Sequence, residues 1–423
     1  MNMIIPRDSY LSKLIRHKHN HLIKIVTGMR RCGKSFLLFK LFRQHLIDSG
    51  VSPSRIIEIN LDDRRNKRLR DPDVCLEFVL EAVKNEREQC YVLIDEVQYM
   101  PDFEDVLNTF LHIDNLDAYV TGSNSKFLSS DIITEFRGRG DEIRVRPLTV
   151  AEFQSARPDL AWDELLGEYF QFGGLPYLAG LTDETEKRNY LRRLFSEVYL
   201  RDILERNKIR NSDALESLLN IIASAIGSLT NPLKLERAFD SAGKKLSSTT
   251  ISQYLGCMED AFLIEKAFRF NVKGKRYIST PLKYYFTDVG LRNARLGFRQ
   301  LEETHIMENV IYNELSARGY DVDVGVVETI EQNSNGNNVR RQTEIDFIAN
   351  RGAERCYIQS AWRLPDPDKV RQEVRPLLKT GDSFRKFVIV GDNIRPRADE
   401  KGIITMGLKT FLLAEDPLAE VRY

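Results

Sequence analysis

HLIKIVTGMRRCGKSFLLFKLF, residues 21–42, decides the fold of the first part of this chain. An apolar run ends at Thr27, GMRRCGKS fills 28–35, and an amphipathic pattern starts at Lys34. That is a strand, a glycine loop and a helix, with the loop matching G-x-x-x-x-G-K-[ST]. Glycines let such a loop fold tightly and bring backbone N–H groups against phosphate oxygens. The stretch therefore predicts a site for a nucleoside triphosphate and magnesium. Gly28, Met29, Arg30, Arg31, Cys32, Gly33, Lys34, Ser35 and Phe36 are its candidate nucleotide-binding residues. Lys34 is expected to reach the β- and γ-phosphates, and the Ser35 hydroxyl to coordinate magnesium.

Working outward, a second apolar strand in YVLIDEVQ (91–98) ends in two acids. Asp95 is placed to hold magnesium, and Glu96 to polarise an attacking water as general base. The pair favours hydrolysis over transfer to a metabolite, which needs no base for water. A further run ends in TGSNS (121–125). If it lies beside the loop strand, Asn124 or Ser123 faces the γ-phosphate; the alternative is a helix N-cap, which both residue types favour. FRGRG (136–140) offers Arg137 and Arg139 as arginine fingers, within the subunit or across an interface, or else a solvated turn.

Between these sites, buried apolar runs alternate with helical patterns from about residue 21 to 150, which predicts an α/β layer with a parallel sheet. Helical periodicity dominates from about 150 to 300, broken by GGLP (173–176) and NP (231–232). Beyond 301, a helical stretch precedes DVDVGVVETI and QTEIDFIA, joined by the polar NSNGNN (333–338) as a hairpin. With 423 residues, several domains are expected. Lys plus Arg (62) balances Asp plus Glu (62), so net charge draws neither nucleic acid nor membrane, and only a local patch can. Five scattered cysteines without CxxC spacing, no signal-like N-terminus and no run of roughly 18 apolar residues point to the cytoplasm and no membrane span. His17, His19 and His21 alternate in a way that suits a metal, or simply a solvated entry loop.

GMRRCGKS, LIDEVQ, TGSNSKFLSS, EFRGRG, RPLTVAEF and FQFGGLPYL, in this order, resemble prokaryotic AAA-type P-loop ATPases fused to a C-terminal region of poorly defined function. The resemblance implies an ATP- and Mg-dependent core at residues 1–155, with sheet order 5-1-4-3-2 and nucleotide-driven switching. Residues 156–300 are expected to form a helical linker and a winged helix. There, STTISQYLG (248–256) resembles a recognition helix, and Lys273, Gly274, Lys275 and Arg276 resemble a basic wing able to meet double-stranded DNA, or a protein-docking module. RRNKRLR (64–70) is a second basic run, read as a solvated loop.

Residues 301–423 resemble a restriction-endonuclease-like domain of the PD-(D/E)XK type. That chemistry needs a helix Glu, a hairpin acid and an acid-x-Lys on the next strand. Glu308 and Asp346 match, but Gln359 and Ala361 stand where the acid and the lysine belong, so a degenerate domain is expected. Three functions remain open: an ATPase switching a DNA- or protein-engaging region, a slow nucleotide-sensing scaffold, and an ATP-gated nuclease. An oligomer is expected if an arginine finger acts in trans.

Overall fold

A computed structural model of the chain describes residues 4–122, 138–332 and 338–419. They pack as two compact units. One comprises residues 1–147 with 175–177 and 260–262, the other 148–174, 178–259 and 263–423.

In the first unit, β1 (Ile23–Thr27), β2 (Ile56–Asn60), β3 (Cys90–Asp95), β4 (Leu116–Thr121) and β5 (Gly140–Arg144) form a parallel sheet in the order β2-β3-β4-β1-β5. Read from the other edge, this is the expected 5-1-4-3-2. Strand alternation assigns the two faces. Ile23 and Ile25 of β1, Ile57 and Ile59 of β2, Val92 and Ile94 of β3, and Ala118 and Val120 of β4 share one core with the helices Pro72–Val83 and Phe103–Phe110. The opposite face meets the helix that leaves the loop at Lys34 and runs to Asp48, with the Phe42 ring 4.5 Å from that of Tyr119. Both faces of the central strands are covered, so β1, β3 and β4 are buried almost throughout rather than alternating with exposed residues.

Register fixes the site. Thr121 of β4 pairs with Val26 of β1, and Asn60 of β2 with Asp95 of β3. In a parallel sheet all C-terminal strand ends share one edge, so Thr27, Asp95 and Thr121 gather there. At the other edge, Lys24 is fully buried and pairs with Asp117, whose carboxylate also accepts from the Tyr119 hydroxyl at 2.9 Å. His19 is hydrogen-bonded to the Tyr91 hydroxyl (2.8 Å), and His17 Nδ1 lies 2.6 Å from an Asp141 carboxylate oxygen. His17 and His19 are thus each met by a protein side chain.

In the second unit, NP (231–232) is a helix start rather than a mere break. The Asn231 side chain accepts the Leu233 N–H, and Pro232 opens the helix Pro232–Ser241. The helix Ser248–Asp260 leads into a hairpin of β6 (Ile264–Asn271) and β7 (Arg276–Phe286). This hairpin does not stand alone. β6 pairs in parallel with β8 (Asp321–Gln332), so the sheet runs across the boundary drawn at residue 300. β9 (Asn338–Arg351), β10 (Glu354–Ala361), β11 (Arg385–Val390), β12 (Arg397–Ala398) and β13 (Ile403–Gly407) complete the order β12-β13-β11-β10-β9-β8-β6-β7. β8 and β9 pair antiparallel, as the hairpin reading requires, although residues 333–337 lie outside the described residues. Helix Glu303–Ala317 packs on β7 to β10, and helix Pro367–Leu378 on β9 to β11. Among the described residues, no helix is long and apolar enough to cross a membrane.

Candidate functional site

The phosphate loop is shaped by its glycines. Gly28 has φ +132°, and a Cβ there would stand 2.1 Å from the Val145 carbonyl oxygen, so no side chain fits. Gly33 has φ +100° and turns the chain into the helix at Lys34. Buried Arg7 braces the loop from outside, donating to the carbonyls of Cys32 (3.2 Å) and Arg146 (2.6 Å). Met29 and Cys32 are buried, and the Cys32 thiol donates to the Val145 carbonyl at 3.4 Å, which makes them supports of the loop. Arg31 is exposed with φ +66°, and Arg30 and Phe36 are half-buried. The Lys34 ammonium lies inside the loop's curve, donating to the Gly28 and Met29 carbonyls at 2.9 and 3.0 Å.

Beside the loop, the Ser35 hydroxyl donates to Asp95 Oδ1 at 2.9 Å. Two hard oxygen donors are thus adjacent, the donor type that magnesium takes. Burial holds the Asp95 carboxyl above its ordinary pKa, against the opposing hydrogen bonds from Thr121 and Ser35. Glu96 adopts φ +54°, a left-handed conformation that costs a non-glycine residue roughly 1–2 kcal/mol. Its N–H donates to Thr121 Oγ1 at 3.0 Å, and its carboxylate accepts from the Gln98 amide. Such strain concentrates where a side chain must be aimed.

Thr121 escaped the sequence reading. It is fully buried at the end of β4, donating to Asp95 and accepting from the Glu96 N–H, so one hydroxyl ties both acids together. The available signal was its position as the first residue of TGSNS, on a strand beside β1. Thr121→Val is expected to leave Asp95 and the Glu96 N–H each short of a partner. That should lower stability by about 1–3 kcal/mol and slow ATP turnover, read by denaturant melts and phosphate release. Unchanged melts and turnover would remove Thr121 from this role.

The remaining candidates separate. Ser123, Asn124 and Arg137 lie outside the described residues; Gly122, described, donates its N–H to the Val26 carbonyl (3.2 Å). Arg139 corrects an expectation. Its carbonyl accepts the Ile23 N–H at 2.9 Å, at the start of β1. The phosphate loop follows the other end of that strand, roughly 13 Å away at the usual strand rise. That distance disfavours a finger acting within the subunit for Arg139, and leaves a finger across an interface or a solvated turn. RRNKRLR is the short helix Arg64–Arg70 rather than an open loop, with Leu69 buried and Arg70 Nε donating to the Leu61 carbonyl at 2.8 Å.

The second unit assembles a different polar cluster. Glu308 Oε1 accepts from Lys283 (2.9 Å) and from the Tyr285 hydroxyl (2.7 Å), and Lys283 also pairs with Glu344 at 2.7 Å. Burial pushes the Glu308 carboxyl up to about 7, with Lys283 pulling against it. Lys283 is itself held above its usual value: burial lowers it, but Glu308, Asp346 and Glu344 together outweigh burial. Asp346 Oδ2 accepts the Ser360 N–H (2.8 Å) and hydroxyl (2.9 Å), while the Gln359 amide donates to Glu373 at 3.0 Å. The lysine of this cluster, Lys283, comes from β7, not from the β10 position of Ala361. Ala361 is buried core, and no group of acids, histidines and cysteines with metal-ligating geometry occurs among the described residues. On the helix Ser248–Asp260, Thr249, Ser252 and Gln253 are exposed, but Tyr254 is core and cannot make a surface contact.

A family model described as an AAA domain matches residues 20–154, and one described as a domain of unknown function matches residues 163–302. An uncharacterized protein of Haemophilus influenzae is 32% identical over 392 residues, spanning 92% of this chain and 94% of that protein. An uncharacterized protein of Methanocaldococcus jannaschii is 29% identical over 383 residues, spanning 87% and 80%. Among solved structures, a Walker-type ATPase of Pyrococcus abyssi superposes with a TM-score of 0.50 at 16% identity, covering 69% of this chain and 96% of that one. That likeness is one of fold.

Proposed function

This chain belongs to the family it shares with the Haemophilus influenzae protein, an AAA domain followed by a domain of unknown function, and from that premise we propose that it is a magnesium-dependent ATPase. Its nucleotide state switches how the region after residue 155 engages DNA or a protein partner. The observation that carries the reading is the 2.9 Å link between the Ser35 hydroxyl and Asp95, beside a buried Lys34. Loop N–H groups and Lys34 hold the phosphates, while Ser35 and Asp95 hold magnesium. Bound there, the ion supplies positive charge against the phosphate oxygens. Glu96 takes the proton of the attacking water, and Arg139 of a neighbouring copy neutralises charge in an oligomer.

Strand cleavage has no part in this reading. The Lys283 ammonium already pairs with Glu308 and Glu344, and Gln359 and Ala361 supply neither an acid nor a lysine on β10. Phosphate release by the full chain, with and without chelator and with and without duplex DNA, tests the proposal. Turnover that requires magnesium and rises with DNA is the expected result. Turnover indifferent to DNA points to the protein partner, and no turnover under any condition replaces the proposal with the slow nucleotide-sensing scaffold.

A further inference from the structure

Two large aromatic side chains of the β6–β7 hairpin stand in solvent: Phe268 is 44% and Tyr277 63% exposed. Their rings are 6.2 Å apart, edge to face, and Tyr277 also meets Phe270 at 5.2 Å. Register explains the cluster, because Phe270 lies directly across from Tyr277 on the outermost strand pair. At the tip of the same hairpin Lys273, Lys275 and Arg276 are exposed, and none has an ion-pair partner among the described residues. Two nearby acids have partners. Asp323 accepts from the Tyr277 hydroxyl at 3.1 Å, and Glu259 pairs with Lys266 at 2.8 Å.

Cations at an edge strand discourage sheet-to-sheet aggregation, and that alone would account for the three at the tip. It does not account for two exposed rings beside them, which add apolar surface to the very edge being protected. Rings that accept a flat partner, next to free cations, match the faces and phosphates of unpaired nucleotides. A duplex hides its base faces within the stack, so the rings select a single strand, while the cations alone would serve either form.

We propose that the β6–β7 hairpin is a binding site for single-stranded nucleic acid, with Tyr277 and Phe268 stacking on bases and Lys273, Lys275 and Arg276 pairing with phosphates. This rests on the reading that the C-terminal region engages nucleic acid, and narrows it to one strand and one hairpin.

The test is fluorescence anisotropy of a labelled oligothymidine of about 16 nucleotides with the full chain, free of ATP. Binding is expected, weakening about tenfold in Tyr277→Ala and in Phe268→Ala and returning in Tyr277→Trp. The double variant Lys273→Glu/Lys275→Glu should weaken binding and flatten its salt dependence by about two phosphate contacts. Thermal melts of each variant separate lost binding from lost folding. Absence of binding at low salt overturns the proposal. So does unchanged affinity in both ring variants, or equal competition by a polyglutamate peptide, which would mark a patch for any polyanion or for an acidic protein segment. No ATP turnover enters the measurement. DNA-stimulated turnover without hairpin binding would leave the ATPase reading standing and sink this one alone.

Discussion

Lys34→Ala is expected to lower ATP turnover at least a hundredfold, about 2.7 kcal/mol of transition-state stabilisation, and to weaken nucleotide binding as well. Two effects add. The ammonium is the cation that the loop offers to the phosphates, and alanine removes it. The same group bonds the Gly28 and Met29 carbonyls, so its loss also frees the backbone whose N–H groups must converge on the ligand. Phosphate release under saturating ATP, with nucleotide affinity measured separately, checks this. Turnover within a few-fold of wild type would place the catalytic charge elsewhere.

Glu96→Gln separates binding from chemistry. Glutamine keeps the shape, the left-handed backbone and a polar contact for Gln98, but it cannot take a proton. Nucleotide affinity should stay within a few-fold of wild type, while turnover falls about 10²–10⁴-fold, the usual contribution of a positioned base. Single-turnover phosphate release with bound ATP gives the cleanest measure. Normal release would show that water is activated by another group, and Glu96 would then be only a strand-end acid held by Thr121.

The two variants bracket the difference between local and distant determinants. Everything from Thr27 to Ser35 was legible because the loop's conformation is set by residues adjacent in the chain. Gly28 and Gly33 supply the positive φ angles, and the apolar run and amphipathic helix on either side fix its entry and exit. Asp95 and Glu96 were legible for a similar reason, as acids ending an apolar strand. Parallel pairing of that strand then has only one way to bring its C-terminal end beside the loop.

Other determinants depend on partners far along the chain. Arg7 supports the loop from residue 7 through carbonyls of residues 32 and 146, and nothing in its own neighbourhood announces that. Lys283 enters the Glu308–Asp346 cluster from β7, a strand whose membership in the large sheet rests on one parallel pairing between β6 and β8. Pairing of β5 with β1 sets Arg139 beside the start of β1, the far end of that strand from the loop.

By itself, then, the sequence determined that there is a phosphate loop and which acids end the strand beside it, because backbone torsions and strand ends are local properties. Only the tertiary structure decided that Thr121 joins Asp95 to Glu96, that Arg139 sits beside the start of β1, and that Lys283 pairs with Glu308 and Glu344. Strand order and register are non-local, and they alone choose which side chains share an edge.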